Sequence, residues 1–116
     1  MFTVSDQAYK SFAQSAEESF VSRLADFLWN SIPQLRDVSR EAHLAVTRQV
    51  FLQAKAHGFD REDDVARFAL CAALLGPDFA EHFPGAREIL EMKEPASYRA
   101  RLLEYFTREL FDRMDA

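Results

Sequence analysis

The sequence predicts an all-α protein, and three features of its composition support this. Gly occurs three times and Pro four times in 116 residues, whereas a sandwich or barrel of short strands needs frequent tight turns. Eleven Phe residues and a hydrophobic share of 48% suffice for a core in a chain of this length. No stretch shows the period of two that is typical of a half-buried strand. We expect one domain, residues 1–116, in which about five helices surround a buried helix at about residues 61–75.

The first predicted helix begins at Thr3 or Ser5, because either hydroxyl can cap it, and ends at about Ser31, shortly before Pro33. Apolar residues recur in this segment at spacings of three and four, as on one face of a helix. The predicted inward stripe consists of Phe12, Ala16, Phe20, Leu24, Phe27 and Leu28.

The second predicted helix begins near Ser39 and ends at His57, since Gly58 is suited to the left-handed residue that follows a helix. Phe59 would then fold back onto Ala54. The predicted inward face consists of Val46, Val50, Phe51 and Ala54.

The third predicted helix is the centre of the fold. Asp60 can cap it, and Asp63 three residues later forms a weak variant of the capping box. Residues 65–75 are apolar on nearly every face, which is typical of a fully buried helix. We expect it to end at Gly76 in a left-handed cap with positive φ.

The remainder predicts two short helical turns, around residues 78–82 and 86–92, and a last helix. That helix begins at Pro95 or Ser97 and ends at about Met114. Its predicted stripe consists of Tyr98, Leu102, Tyr105 and Phe106, widened by Leu103 and Leu110.

Charge and targeting signals exclude several classes of protein. The net charge of −5 and the absence of a Lys/Arg run disfavour a nucleic-acid binder. The longest apolar run, residues 68–75, is too short to span a membrane. The first residues lack the basic and apolar regions of a secretory signal. We therefore expect a cytoplasmic protein.

No arrangement of residues predicts catalysis, so we expect neither an enzyme nor a cofactor. Cys71 lies within an apolar helix, where a thiol is inert. His43, His57 and His82 lack metal-motif spacing and are expected at helix ends or on the surface. The paired carboxylates, such as residues 62–64, are expected on solvated faces and at helix starts. A domain that binds metal or haem through a histidine remains an alternative.

Large apolar residues near the ends of elements are the candidates for binding a partner. The candidates are Trp29, Phe83, Phe111 and Met114, because exposed aromatic residues anchor protein interfaces. The alternative is that they close the ends of the helical core, and for Phe83 this is the favoured interpretation. Phe111 and Met114 lie off the main stripe of the last helix, where a second copy of the chain could bury them in a homodimer.

Residues 56–79 and their flanks resemble a known family. An acidic helix start, a buried helix and a Leu-Gly-x-x-Phe ending are similar to the C-terminal helical part of the type VI secretion effector-adaptor, or chaperone, family. The resemblance covers about residues 3–106, with Arg99 and Arg101 in its closing part. The sequence has no counterpart of the family's N-terminal lobe. It is carried by Gly58, Asp63, Phe68, Gly76 and Phe79.

The resemblance implies a bacterial, non-enzymatic adaptor or accessory chaperone that binds a secreted effector or its spike. The alternative is a cytoplasmic immunity protein, since an acidic helical domain complements the basic cleft of a toxin. Either protein would bind a protein partner, without nucleic acid or membrane.

Overall fold

The computed structural model describes the backbone of residues 6–115 and the side chains of residues 14–114. The predicted caps Thr3 and Ser5 and the side chain of Phe12 lie outside the described residues. The all-α class is confirmed, because the described residues form helices and contain no strand. The α-helices are α1 (Asp6–Ser31), α2 (Arg40–Ala56), α3 (Glu62–Leu75), α4 (Phe79–His82), α5 (Pro84–Glu91) and α6 (Ala96–Asp115), and a 3-10 helix occupies Pro33–Asp37.

The helices fall into two compact units, one within residues 1–44 and the other within residues 45–116. The prediction of a single domain over residues 1–116 stays a prediction. The second unit contains most of α2 and all of α3 to α6, and it holds the cleft described below.

In the first unit, α1 is continuous through Ser15 and buries a face displaced from the predicted stripe. Leu24 and Leu28 are buried as predicted, whereas Phe27 is 50% exposed. The buried face is centred close to Val21 instead, and Phe27 lies roughly 120° round the helix from Val21. The 3-10 helix that follows has no apolar periodicity, and the sequence did not predict it.

The predicted ends of α2 are confirmed. The backbone N–H of Ala42 donates to the Ser39 hydroxyl at 3.1 Å, so Ser39 caps the helix. At the other end Gly58 has φ +90°, and the N–H of Phe59 donates to the carbonyl of Ala54 at 3.0 Å. This is the Schellman pattern, which explains why the chain turns back here and why Phe59 is fully buried.

The buried face of α2 contains polar residues that the apolar pattern could not show. Val50 and Phe51 are buried as predicted, but Val46 is 42% exposed. His43 and Thr47 are buried in its place. The centre of the buried face therefore lies roughly 80° round the helix from Val46.

The predicted cap of α3 is wrong. The structure places Arg61 at the N-cap, without a side-chain hydrogen bond to the helix, and Asp60 instead forms an ion pair with Lys55 at 3.2 Å. The end at Gly76 is as predicted, with φ +104°, but ψ is 151° and not the left-handed helical value. This backbone conformation is open to essentially glycine alone. Since no atom lies within 4 Å of an added Cβ, the requirement comes from the backbone and not from crowding.

Helices α3 and α6 pack side by side and run in the same direction. Asp64 contacts Ser97 near the start of both helices, at 2.8 Å, and Cys71 contacts Thr107 further along both, at 3.0 Å. Around this pair the rings of Phe59, Phe68 and Phe79 form a chain of tilted contacts, with centroids 5.3 to 5.6 Å apart. The core of the second unit is therefore built on α3, as predicted.

Short helices α4 and α5 correspond to the two predicted helical turns, and α5 lies against α6. Gly85 allows this close approach, because a Cβ there would lie 2.8 Å from the ring of Phe106. That ring also meets Phe83 edge-on, with centroids 6.4 Å apart.

Candidate partner-binding cleft

An apolar cleft of about 230 Å³ lies on the second unit, between side chains of α3 and α6. Leu70, Leu74 and Phe111 form its apolar surface, and Glu104, Arg108 and Asp112 border it with charge. Below we call this site the α3/α6 cleft. Its complete lining is Leu70, Cys71, Leu74, Glu104, Thr107, Arg108, Phe111 and Asp112.

The cleft exists because α3 is not buried on every face, contrary to prediction. One face of the helix packs into the core, but Leu70 on the other side is half-buried and Leu74 is 38% exposed. These two residues are four apart and therefore lie one turn above each other on a single face. Phe111 supplies the opposing apolar surface from α6.

Helix α6 continues beyond the end of α3. The contacts between the two helices align Leu75, the last residue of α3, with about position 110 of α6. Met114 lies past this point and is 69% exposed. The open end of the cleft is therefore bordered by the last turns of α6.

The rim of the cleft carries one acidic group without a compensating charge. Glu104 accepts from Arg67 at 3.4 Å and from Arg108 at 3.3 Å, so its charge is balanced. Asp112 is exposed and forms no ion pair with any residue that the structure describes. The rim consequently favours a partner that brings a basic side chain beside an apolar one.

Cys71 lies at the base of the cleft and is chemically inert. Its thiol is 1% exposed and donates to the carbonyl oxygen of Leu103 at 3.4 Å. The Thr107 hydroxyl lies 3.0 Å from its sulfur. Burial raises the pKa of the Cys71 thiol to about 11, which the Thr107 hydrogen bond offsets only in part. A nucleophilic role at neutral pH is therefore disfavoured.

The raised pKa predicts that Cys71 makes the fold sensitive to alkali. The folded state holds the thiol proton up to about pH 11, whereas the ordinary thiol pKa is 9.0. Stability is therefore complete below pH 9 and falls between pH 9 and 11, by up to about 1.4 kcal/mol per pH unit. The measurement is urea unfolding of the wild-type chain and of Cys71→Ala across this range. A difference between the two proteins that stays constant to pH 11 would contradict the burial argument.

One of the three histidines, His43, differs from expectation. His43 was expected at a helix end or on the surface, but it is buried, and its Nε2 donates to the carbonyl of Ala25 at 2.8 Å. His57 does end its helix, yet partial burial, and next the Arg99 guanidinium, lower its pKa. A protonated ring that stabilises the helix end is therefore disfavoured there. His82 is exposed.

Residues 6–115 contain no group of three or more His, Cys, Asp or Glu side chains that could hold a metal ion. Within the same range, no helix has both the length and the apolar character needed to cross a membrane.

The structure separates the sequence-predicted partner residues. Trp29 is half-buried in the first unit, where its ring centroid lies 5.5 Å from that of His43 and 5.2 Å from the Arg40 guanidinium. Phe83 is half-buried against Phe106, on the α5 side of α6. Phe111 lines the α3/α6 cleft, and Met114 lies one turn beyond it.

Leu70 and Leu74 were not predicted to be surface residues. The one sequence feature that could have indicated it is that they lie on the opposite side of the helix from Val65, Phe68 and Ala72. A helix that is apolar all round is either fully buried or carries a second apolar face for a partner. Only the position of the end of α6 distinguishes the two cases.

The fold and the cleft define the chain as an all-α protein with an apolar surface cleft and an acidic rim group. Comparison of the chain with protein-family models, with curated proteins and with solved structures gives no match. The resemblance to the effector-adaptor family therefore stays a prediction.

Proposed function

We propose that the chain is a non-enzymatic protein-binding domain, an adaptor or accessory chaperone for a type VI secretion effector or its spike. Its α3/α6 cleft receives a short apolar segment of the partner, flanked by a basic residue that meets Asp112. The observation that carries the proposal is the apolar lining of Leu70, Leu74 and Phe111 at the surface.

The chemistry of the cleft supports binding over catalysis. Its thiol is buried and protonated at neutral pH, and Glu104 is held in ion pairs with two arginines. Apolar groups at the centre with charges at the edge are the usual arrangement of a protein interface. The net charge of −5 further favours a basic partner.

The proposal predicts that a charge in the cleft abolishes binding. Leu74→Lys places an ammonium group where the partner's apolar segment would lie, and we expect the Kd to rise by about tenfold or more. The measurement is titration calorimetry of the purified chain against the effector and spike proteins encoded beside its gene. Leu52→Lys is the matched control, because Leu52 is 59% exposed on α2 and does not line the cleft.

Three outcomes would count against the proposal. Binding that survives Leu74→Lys, or that Leu52→Lys weakens equally, would place the interface elsewhere. Failure of every effector and spike protein of the locus to bind would remove the adaptor role. If the chain instead protects growing cells from a toxin of the same locus, the protein is an immunity protein. Circular dichroism of both variants verifies that they are folded.

A further inference from the structure

Helix α6 presents a second apolar stripe that faces solvent. Tyr98, Leu102 and Tyr105 were predicted to face the core, but Tyr98 is 52% and Tyr105 63% exposed. The core positions are taken by Leu103, which was predicted to widen the stripe, and by Ala100 and Thr107, all about 100° or more round the helix from the three stripe residues. The sequence pattern therefore contained two apolar faces, and α5 covers only part of the second one, at Phe106.

The outward stripe has the spacing of a helix–helix seam. Tyr98, Leu102 and Tyr105 follow each other at intervals of four and three, and the same spacing continues to Glu109 and Asp112. Ile89 of α5 widens the stripe, together with Phe106 and Leu110, along a groove of about 380 Å³. The stripe is thus apolar in its first half. Its second half, which we call the acidic half, carries Glu109 and Asp112, with Arg113 at the edge of the groove.

The charges along this face are complementary end to end. Arg101 flanks the apolar half, while Glu109 and Asp112 lie in the acidic half. None of the three forms an ion pair with another residue of the described chain. By contrast, Arg99 and Arg108 already have partners, whereas Arg113, at the edge of the groove, forms no ion pair with a residue of the described chain.

We infer that the α6 stripe binds a second copy of this chain, with the two α6 helices antiparallel. This arrangement sets Leu102 of each copy against Tyr105 of the other, and it brings Tyr98 and Arg101 of each copy beside the acidic half of the other. Arg101 then pairs with Glu109 of the second copy twice, once on each side of the two-fold axis.

A parallel arrangement is disfavoured by the same charges. It would set Glu109 against Glu109 and Asp112 against Asp112 of the second copy, and such like-charge pairs oppose association. Tyrosine at the seam also suits a homodimer, because its ring is buried while its hydroxyl reaches the partner's carboxylates. The inference does not rest on the partner proposed for the α3/α6 cleft, although Asp112 borders both surfaces.

The test is a charge swap read by sedimentation velocity of the full chain. Arg101→Glu and Glu109→Arg, each alone, create like-charge contacts at two symmetric sites and are expected to raise the dimer Kd by about tenfold or more. Combining them restores the opposite-charge contacts, so the double variant is expected to dimerise within about threefold of the wild type.

Other outcomes would overturn the inference. If the wild-type chain stays monomeric up to about 0.5 mM, the α6 stripe does not bind a second copy with appreciable affinity. A dimer insensitive to either reversal, or a double variant weaker than both single variants, uses another face. Leu52→Lys is the matched control, because Leu52 is exposed on α2, lines neither the cleft nor the α6 stripe, and should leave the dimer Kd unchanged.

Discussion

Replacing Arg99 by alanine is expected to lower the free energy of unfolding by about 3 kcal/mol. Its guanidinium donates to the carbonyls of Leu90 at 3.2 Å and Glu94 at 3.0 Å. A third bond, of 3.0 Å, reaches the carbonyl of His57 after α2. The guanidinium carbon also lies 5.0 Å from the ring centroid of Phe59. One side chain thus ties the ends of α2 and α5 to the start of α6, and its loss leaves three carbonyls without this donor.

Arg101→Ala is the control, since Arg101 is exposed two residues later on the same helix. Thermal unfolding at a concentration where the chain is monomeric should show a loss of roughly 10 °C in Tm for Arg99→Ala and little change for the control. Arg99→Lys should recover only a small part, because an ammonium group cannot reproduce the planar fork. Equal melting of Arg99→Ala and Arg101→Ala would show that the three carbonyls are satisfied equally well by water.

Local signals in the sequence were sufficient to predict the helices and most of their ends. Ser39, Gly58 and Gly76 act through their own backbone or their nearest neighbours, so their roles can be identified without the fold. Asp60 shows the limit of this reasoning, because a residue able to cap was used instead in an ion pair with Lys55. The side chain had two local options, and the sequence does not rank them.

The faces of the helices were harder to predict than their ends, because apolar residues outnumber core positions. Phe27, Tyr98 and Tyr105 satisfy a helical stripe as well as the residues that are buried. His43 and Thr47 are polar but buried, and both form interactions there that compensate for the burial of their polar atoms. Which stripe faces the core depends on the neighbouring helix, and this information is not local.

The candidate cleft was beyond sequence reasoning for a related reason. Phe111 was identified as a partner residue, but Leu70 and Leu74 were assigned to a fully buried helix. Their exposure depends on where α6 crosses α3, which is set by contacts such as that of Asp64 with Ser97, 33 residues apart. The acidic residues 62–64 were likewise interpreted as a solvated helix start, yet Asp64 is 1% exposed.

This buried carboxylate leads to the second large prediction. Asp64 accepts from the Ser97 hydroxyl at 2.8 Å and from Arg67 at 3.4 Å, and Arg67 also reaches Glu104 at 3.4 Å. Asp64→Ala leaves the half-buried Ser97 hydroxyl without its acceptor and removes one of the three carboxylates that Arg67 contacts, and this is expected to cost about 2 kcal/mol in the free energy of unfolding. Urea unfolding measures this decrease in the free energy of unfolding, which we attribute mainly to the lost hydrogen bond between Asp64 on α3 and Ser97 on α6.

Asp63→Ala separates burial from charge. Asp63 also forms an ion pair with Arg67, at 3.5 Å, but it is exposed, so its removal should change the unfolding free energy little. Asp64→Asn keeps an acceptor for Ser97 and loses only the charge toward Arg67, so its loss should lie between those of the two alanine variants. If Asp63→Ala and Asp64→Ala prove equally mild, water replaces the carboxylate, and the alignment of α6 on α3 must come from apolar packing alone. If Asp64→Asn lowers the unfolding free energy as much as Asp64→Ala does, the charge of Asp64 matters more than its bond to Ser97. That charge would act by orienting Arg67, which contacts Glu104 on α6.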